Sequence, residues 1–144
     1  MLLAHGIHGK VLRHSMNITS KHRWLICWLY AAGMLGLSIM PASTLTKAPE
    51  LFPHQDKVLH ALMYGGWAVL LGWALQRQIQ NLPAAWMVGI VLMATAYGAL
   101  MEVLQGSLTW IQRTCSWGDM LANLAGAVLG VGFYAHCARS RSAK

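Results

Sequence analysis

Residues 83–104 read Pro-Ala-Ala-Trp-Met-Val-Gly-Ile-Val-Leu-Met-Ala-Thr-Ala-Tyr-Gly-Ala-Leu-Met-Glu-Val-Leu, an apolar run with a single charge, Glu102, close to its end. At about 1.5 Å per residue such a run crosses a hydrocarbon core of about 30 Å as one helix. Pro83 falls at its first turn, where a missing N–H costs nothing. Similar runs lie on either side. Trp24 to Met40 follows a basic flank, Val58 to Leu75 ends at Gln76-Arg77-Gln78, and Gly118 to Cys137 follows a polar loop. The prediction is an all-α transmembrane bundle of four spans, at about 24–40, 58–75, 83–104 and 118–137. The first run also has the basic flank of a signal peptide. It is long for one, and only Pro41-Ala42-Ser43-Thr44 offers a weak cleavage site, so a retained span is expected.

Composition agrees. The 144 residues are 56% hydrophobic and 10% charged, with a mean hydropathy of +0.45. A soluble domain carries about a quarter of its residues charged. The net charge of +7 does not point to nucleic acid, because the cations flank the apolar runs: Lys10, Arg13, Lys21 and Arg23 before the first, Arg139, Arg141 and Lys144 after the last. That placement marks cytoplasmic segments beside anionic lipid headgroups. Residues 1–23 and 138–144 therefore read as basic cytoplasmic tails around a helical domain at 24–137. The 76–82 loop with Arg77 is then inside, and the 41–57 and 105–117 loops are outside. Trp24, Trp110 and Trp117 fall near the expected interfaces. Cys27, Cys115 and Cys137 form no CxxC pair and map to different depths, so they read as small apolar fillers rather than a disulfide or a metal set.

The chain has four acidic residues. Glu50 is in a loop. Asp56, Glu102 and Asp119 all map to the outer ends of their helices. Asp56, His60 and Tyr64 are spaced i, i+4, i+8 on one stripe. Asp119 and Asn123 share a face that continues into Gly126 and Gly130, a GxxxG pair that lets another backbone approach. Ordinary explanations exist for some of these. Asp56 suits a helix N-terminus, Ser116-x-x-Asp119 resembles a capping box, His60 alone fits a bundle interior, and Tyr64 fits an interface. Glu102 is harder to explain, since a carboxylate near a helix C-terminus opposes the macrodipole and is expensive to bury. It needs a cation or a proton, and Lys57, His60 and Arg113 are at the expected depth.

The segments Asp56-Lys57-Val-Leu-His60-Ala-Leu-Met-Tyr64, Glu102-Val-Leu-Gln105 and Arg113-Thr-Cys-Ser116-Trp-Gly-Asp119-Met-Leu-Ala-Asn123-Leu-Ala-Gly126, in that order and after Pro41-x-Ser43, resemble the VanZ-like family of bacterial membrane proteins. The resemblance covers roughly residues 35–130. It implies a multi-span bundle in the bacterial inner membrane and, for the name-giving member, an association with lowered susceptibility to the lipoglycopeptide teicoplanin. It supplies no biochemical activity.

Three readings of the polar cluster stay open. In the first, His60, Asp56, Glu102 and Asp119 are catalytic on an amphiphilic envelope lipid or lipoglycopeptide-like substrate, with His60 as acid or base oriented by Asp56. Lys57, Tyr64, Gln105, Arg113 and Asn123 then hold the substrate. In the second, the same residues bind a lipid headgroup or partner helix without turnover. In the third, they are an interhelical network fixing the packing. No cofactor is implied, and one histidine among scattered acids, with His54 nearby, is a poor zinc set. No G-x-S-x-G, HExxH or P-loop is present, and a cluster at one face is unlike a mid-membrane transport site.

Overall fold

The computed structural model describes residues 19–45, 51–76 and 83–142. The tail before Thr19, Glu50, and the expected inner loop with Arg77 lie outside the described residues. The order is α1 (Ser20–Ser38), a single turn α2 (Ala42–Leu45), α3 (Gln55–Gln76), α4 (Ala84–Ser107), a 3-10 turn (Thr109–Ile111) and α5 (Trp117–Ser142). No strand occurs among the described residues. Gln112, which ends the 3-10 turn, sits in the left-handed region at φ 55°.

Three helices are long and apolar enough to cross a membrane: α3, α4 and the Trp117–Ser140 part of α5. The expectation of four is met for these three. Helix α1 differs because its 19 residues begin Ser-Lys-His-Arg, so a full turn of it is basic and the apolar part that remains is short. It still packs as a bundle member. Arg23 donates to the Trp73 carbonyl at 2.8 Å and stacks over the Trp73 ring at 4.5 Å. Cys27 Sγ reaches the Leu70 carbonyl, and the Tyr30 hydroxyl the Met63 carbonyl. Rising numbers on α1 meet falling numbers on α3, so the two run antiparallel. Trp73 belongs to the last turn of α3, where carbonyls lack helical partners and the dipole is negative; Arg23 answers both needs. At the other end of α1, Gln105 Nε2 donates to the Ser38 carbonyl at 3.2 Å, satisfying an acceptor at that helix terminus too.

Small residues carry the contact between α3 and α5. A Cβ placed on Gly126 would collide with the Ala61 carbonyl, and one on Gly130 with the Gly65 carbonyl. A Cβ on Gly65 would lie 2.9 Å from the Gly126 carbonyl oxygen. The two backbones thus touch directly, which is how helices associate where lipid removes the hydrophobic drive. Around this seam Tyr64, Trp67, Ala68, Leu71, Ala94, Ala127 and Val131 are buried. Outward, the surface is apolar: Leu29, Leu62, Leu92, Leu129 and Phe133 are each more than 60% exposed. A chain that covers itself with leucine on every long helix is built for lipid rather than water.

Of the cysteines, Cys27 is buried as expected, but Cys115 is exposed. The filler reading fails there because the segment between the 3-10 turn and α5 runs over the surface. All three are free thiols.

Gly126→Ala and Gly132→Ala should have opposite signs. The first forces the seam apart, at a cost of about 1–3 kcal/mol. The second places a methyl where nothing lies within 4 Å and gains roughly 0.5–1 kcal/mol of helix propensity. Thermal unfolding of the detergent-solubilised proteins measures both.

Candidate functional site

At one end of the bundle, the start of α3, the end of α4 and the start of α5 bring their ionisable side chains together. Close approach at Gly126 places Asn123, one turn earlier on α5, against His60 on α3. The His60 Nδ1 and Asn123 Oδ1 atoms are 2.9 Å apart; since Oδ1 only accepts, the ring donates from Nδ1. Asn123 fits because Gly98 of α4 has no side chain, and a Cβ there would lie 2.6 Å from Asn123 Nδ2. The Tyr64 ring, one turn along α3, lies nearly parallel to that of His60, with centroids 6.4 Å apart and planes at 8°.

Glu102 is completely buried. Its Oε2 accepts the backbone N–H of Ser116 at 3.0 Å, while Oε1 faces His60 Nδ1 at 3.9 Å and has no hydrogen-bond partner among the described residues. This resolves the objection raised by its position near the α4 C-terminus, because the carboxylate lies at the N-terminus of α5, where the dipole favours negative charge. Half of the expected capping box is present: Ser116 Oγ accepts the Asp119 N–H at 3.3 Å. The reciprocal half is not. In a capping box the third helical residue is Glu or Gln, long enough to reach back to the cap N–H. Asp119 is one methylene shorter, and Glu102 supplies the missing acceptor from a different helix. That relation escaped the sequence reading, although an aspartate at this position was the signal that some other acceptor was needed.

Asp119, largely buried, takes Lys57 Nζ at 3.4 Å. Lys57 also binds Asp56 at 2.9 Å. Gly118 makes room for this lysine, since a Cβ there would lie 2.8 Å from Lys57 Cε. Asp56 is more than half exposed and pairs with its neighbour, so Asn123 takes the orienting position on His60 that spacing had given to Asp56. Arg113 is half-buried and acts on Glu102 electrostatically, with no hydrogen bond or ion pair among the described residues. Gln105 is buried, but its amide is used on the Ser38 carbonyl, so it ties α4 to α1 outside the cluster. His54 is exposed and helps start α3 through its carbonyl, which accepts from Lys57 and Val58.

The geometry therefore unites His60, Glu102, Asp119, Asn123, Lys57 and Ser116, with Tyr64 beneath and Arg113 beside them. Asp56 stands at the rim and Gln105 elsewhere. One imidazole nitrogen of His60 and one carboxylate oxygen each of Glu102 and Asp119 lie within 4.8 Å of one another.

An all-helical bundle with an apolar exterior and a buried acid–imidazole cluster at one end defines a polytopic membrane protein. The chain belongs to the VanZ/LLP1 family, whose sequence model matches residues 16–138, farther toward both ends than the segments that carried the resemblance. No curated protein and no solved structure matches it.

Ser116→Ala should lower the thermal midpoint by the equivalent of about 1 kcal/mol, the usual cost of losing a cap oxygen. The backbone bond to Glu102 stays intact in that variant.

Proposed function

We propose that the cluster is a site for the headgroup of an amphiphilic envelope lipid, phosphorylated or glycosylated, with His60 and Glu102 exchanging protons with it. The supporting observation is Glu102 itself. A buried carboxylate with one oxygen unpartnered, facing an imidazole just beyond hydrogen-bond distance, is expensive as architecture. The two groups together offer an acid and a base within reach of one ligand atom. Asn123 holds the ring, and Arg113 is the cation left over to meet an anionic group, because Lys57 is engaged by two carboxylates.

In this reading the chain crosses the bacterial inner membrane four times, α1 completing the set by pairing with α3. Both termini are cytoplasmic, in keeping with the flanking lysines and arginines, so the cluster faces the outside. A membrane-impermeant maleimide added to intact cells is then expected to label Cys115 and to reach Cys137 only after permeabilisation. The reverse pattern would put the site on the cytoplasmic side.

Glu102→Gln separates this function from a packing role. Glutamine keeps an acceptor for the Ser116 N–H and removes a buried charge, so the variant should match or exceed the wild-type thermal midpoint. Together with His60→Ala it should lose the cellular phenotype, for which lipoglycopeptide susceptibility is the assay that the family membership recommends. Full phenotype in both folded variants ends the proposal.

Recognition without turnover is the second reading, and Asn123 favours it. A neutral amide stabilises an imidazolium less than the carboxylate expected from Asp56 would. Saturable binding of an envelope lipid by purified protein with no product formed selects this reading.

A further inference from the structure

Three carboxylates, Asp56, Glu102 and Asp119, meet two fixed cations, Lys57 and Arg113, at this end of the bundle. The balance favours a cation as the group that completes the cluster. Lys57 is shared between Asp56 and Asp119, and no ion pair from it reaches Glu102. Arg113 acts from a distance. Glu102 Oε1 is thus a fully buried carboxylate oxygen with nothing bonded to it among the described residues, and His60 and Asp119 stand around it.

We propose that His60, Glu102 and Asp119 form a binding site for a divalent cation of the Mn²⁺ or Zn²⁺ class. Three ligands about 2.0–2.2 Å from one ion are at most about 3.8 Å apart when spread evenly around it. The separation between His60 Nδ1 and Glu102 Oε1 is 3.9 Å, at that limit, and the full set lies within 4.8 Å. Ligation through Nδ1 replaces the proton that this nitrogen donates to Asn123, which passes to Nε2. A shift of up to about one ångström closes the set to that ligand spacing. Asp119 can supply that shift, since among the described residues its carboxylate is held only by the long contact to Lys57. One imidazole with two carboxylates suits Mn²⁺ or Zn²⁺ better than Ca²⁺, which prefers oxygen alone, or Cu⁺, which prefers sulfur. Three protein ligands leave coordination positions open, the pattern of sites that act on a bound molecule rather than of closed structural sites. Cation binding goes beyond the lipid-headgroup proposal and does not depend on it, because the ion needs no substrate to bind.

The test is titration of the full chain, purified in detergent without a histidine tag, with Mn²⁺ followed by the loss of the free-ion paramagnetic resonance signal, and a parallel calorimetric titration with Zn²⁺. The expected result is one equivalent of either ion per chain and a rise in thermal midpoint on binding. Glu102→Gln, Asp119→Asn and His60→Ala should each raise the dissociation constant by more than the tenfold to hundredfold, roughly, that follows loss of an outer-shell partner. The wild-type complex itself should show nitrogen coupling from one imidazole to bound Mn²⁺, a readout that survives if a variant fails to fold. Absence of saturable binding, binding unchanged in folded variants, or binding lost on replacing His5, His8 and His14 by alanine would each overturn the assignment. Failure of any of these leaves the lipid-headgroup reading intact, whereas a bound ion occupies the His60 and Glu102 atoms that the reading uses for proton exchange, so the two proposals fail separately.

Discussion

The distance between the α3 and α5 backbones governs the polar end of this molecule. Gly126 and Gly130 lie directly on carbonyls of the facing helix, with Ala61 and Gly65 opposite. At that separation a side chain as short as asparagine, one turn from the seam, reaches the imidazole of the other helix. A larger residue anywhere along the seam would move Asn123 away from His60 and open Lys57 from Asp119. Gly98 and Gly118 do the same work for α4 and for the lysine, removing bulk where a polar group must fit. The polar cluster is therefore a product of backbone shape first and of side-chain chemistry second.

Glu102 illustrates how the cost of a buried charge is distributed. Its own helix presents the wrong end of its dipole, while the neighbouring helix presents the right one together with an uncapped N–H. Joining α4 to α5 through a short surface segment with a 3-10 turn folds the chain back so that the carboxylate meets Ser116. One oxygen is thereby stabilised and the other left buried without a hydrogen-bond partner among the described residues. A carboxylate satisfied on both oxygens would make a stable helix corner and nothing more.

Much of this was legible beforehand, and the reasons differ by residue. The apolar runs announced three of the helices because lipid leaves no other solution for the backbone. The basic first turn of α1 blurred the fourth, since a run that reads as apolar from Trp24 onward begins its helix earlier, at Ser20. Helical spacing placed Asp119 and Asn123 on one face and the glycines below them, as the structure has it. It failed for Asp56, because spacing along one helix says nothing about a competing partner on another, and Asn123 was that partner. Gln105 misled for the same reason: its place beside Glu102 in the sequence concealed a carbonyl at the end of α1 that needed a donor. Family membership, covering residues 16–138, carries the architecture but not the chemistry.

Helix α5 has 26 residues, about 39 Å of rod at 1.5 Å per residue, against a hydrocarbon core of about 30 Å. Trp117, exposed at its start, and Arg139, exposed near its end, prefer opposite interfaces. Because Asp119 and Asn123 are fixed to this rod, bilayer thickness sets how deep the cluster lies. A thinner membrane lifts it toward water and a thicker one draws it under the acyl chains. Lipid composition thereby acts on the protein as a mechanical variable, independent of headgroup chemistry.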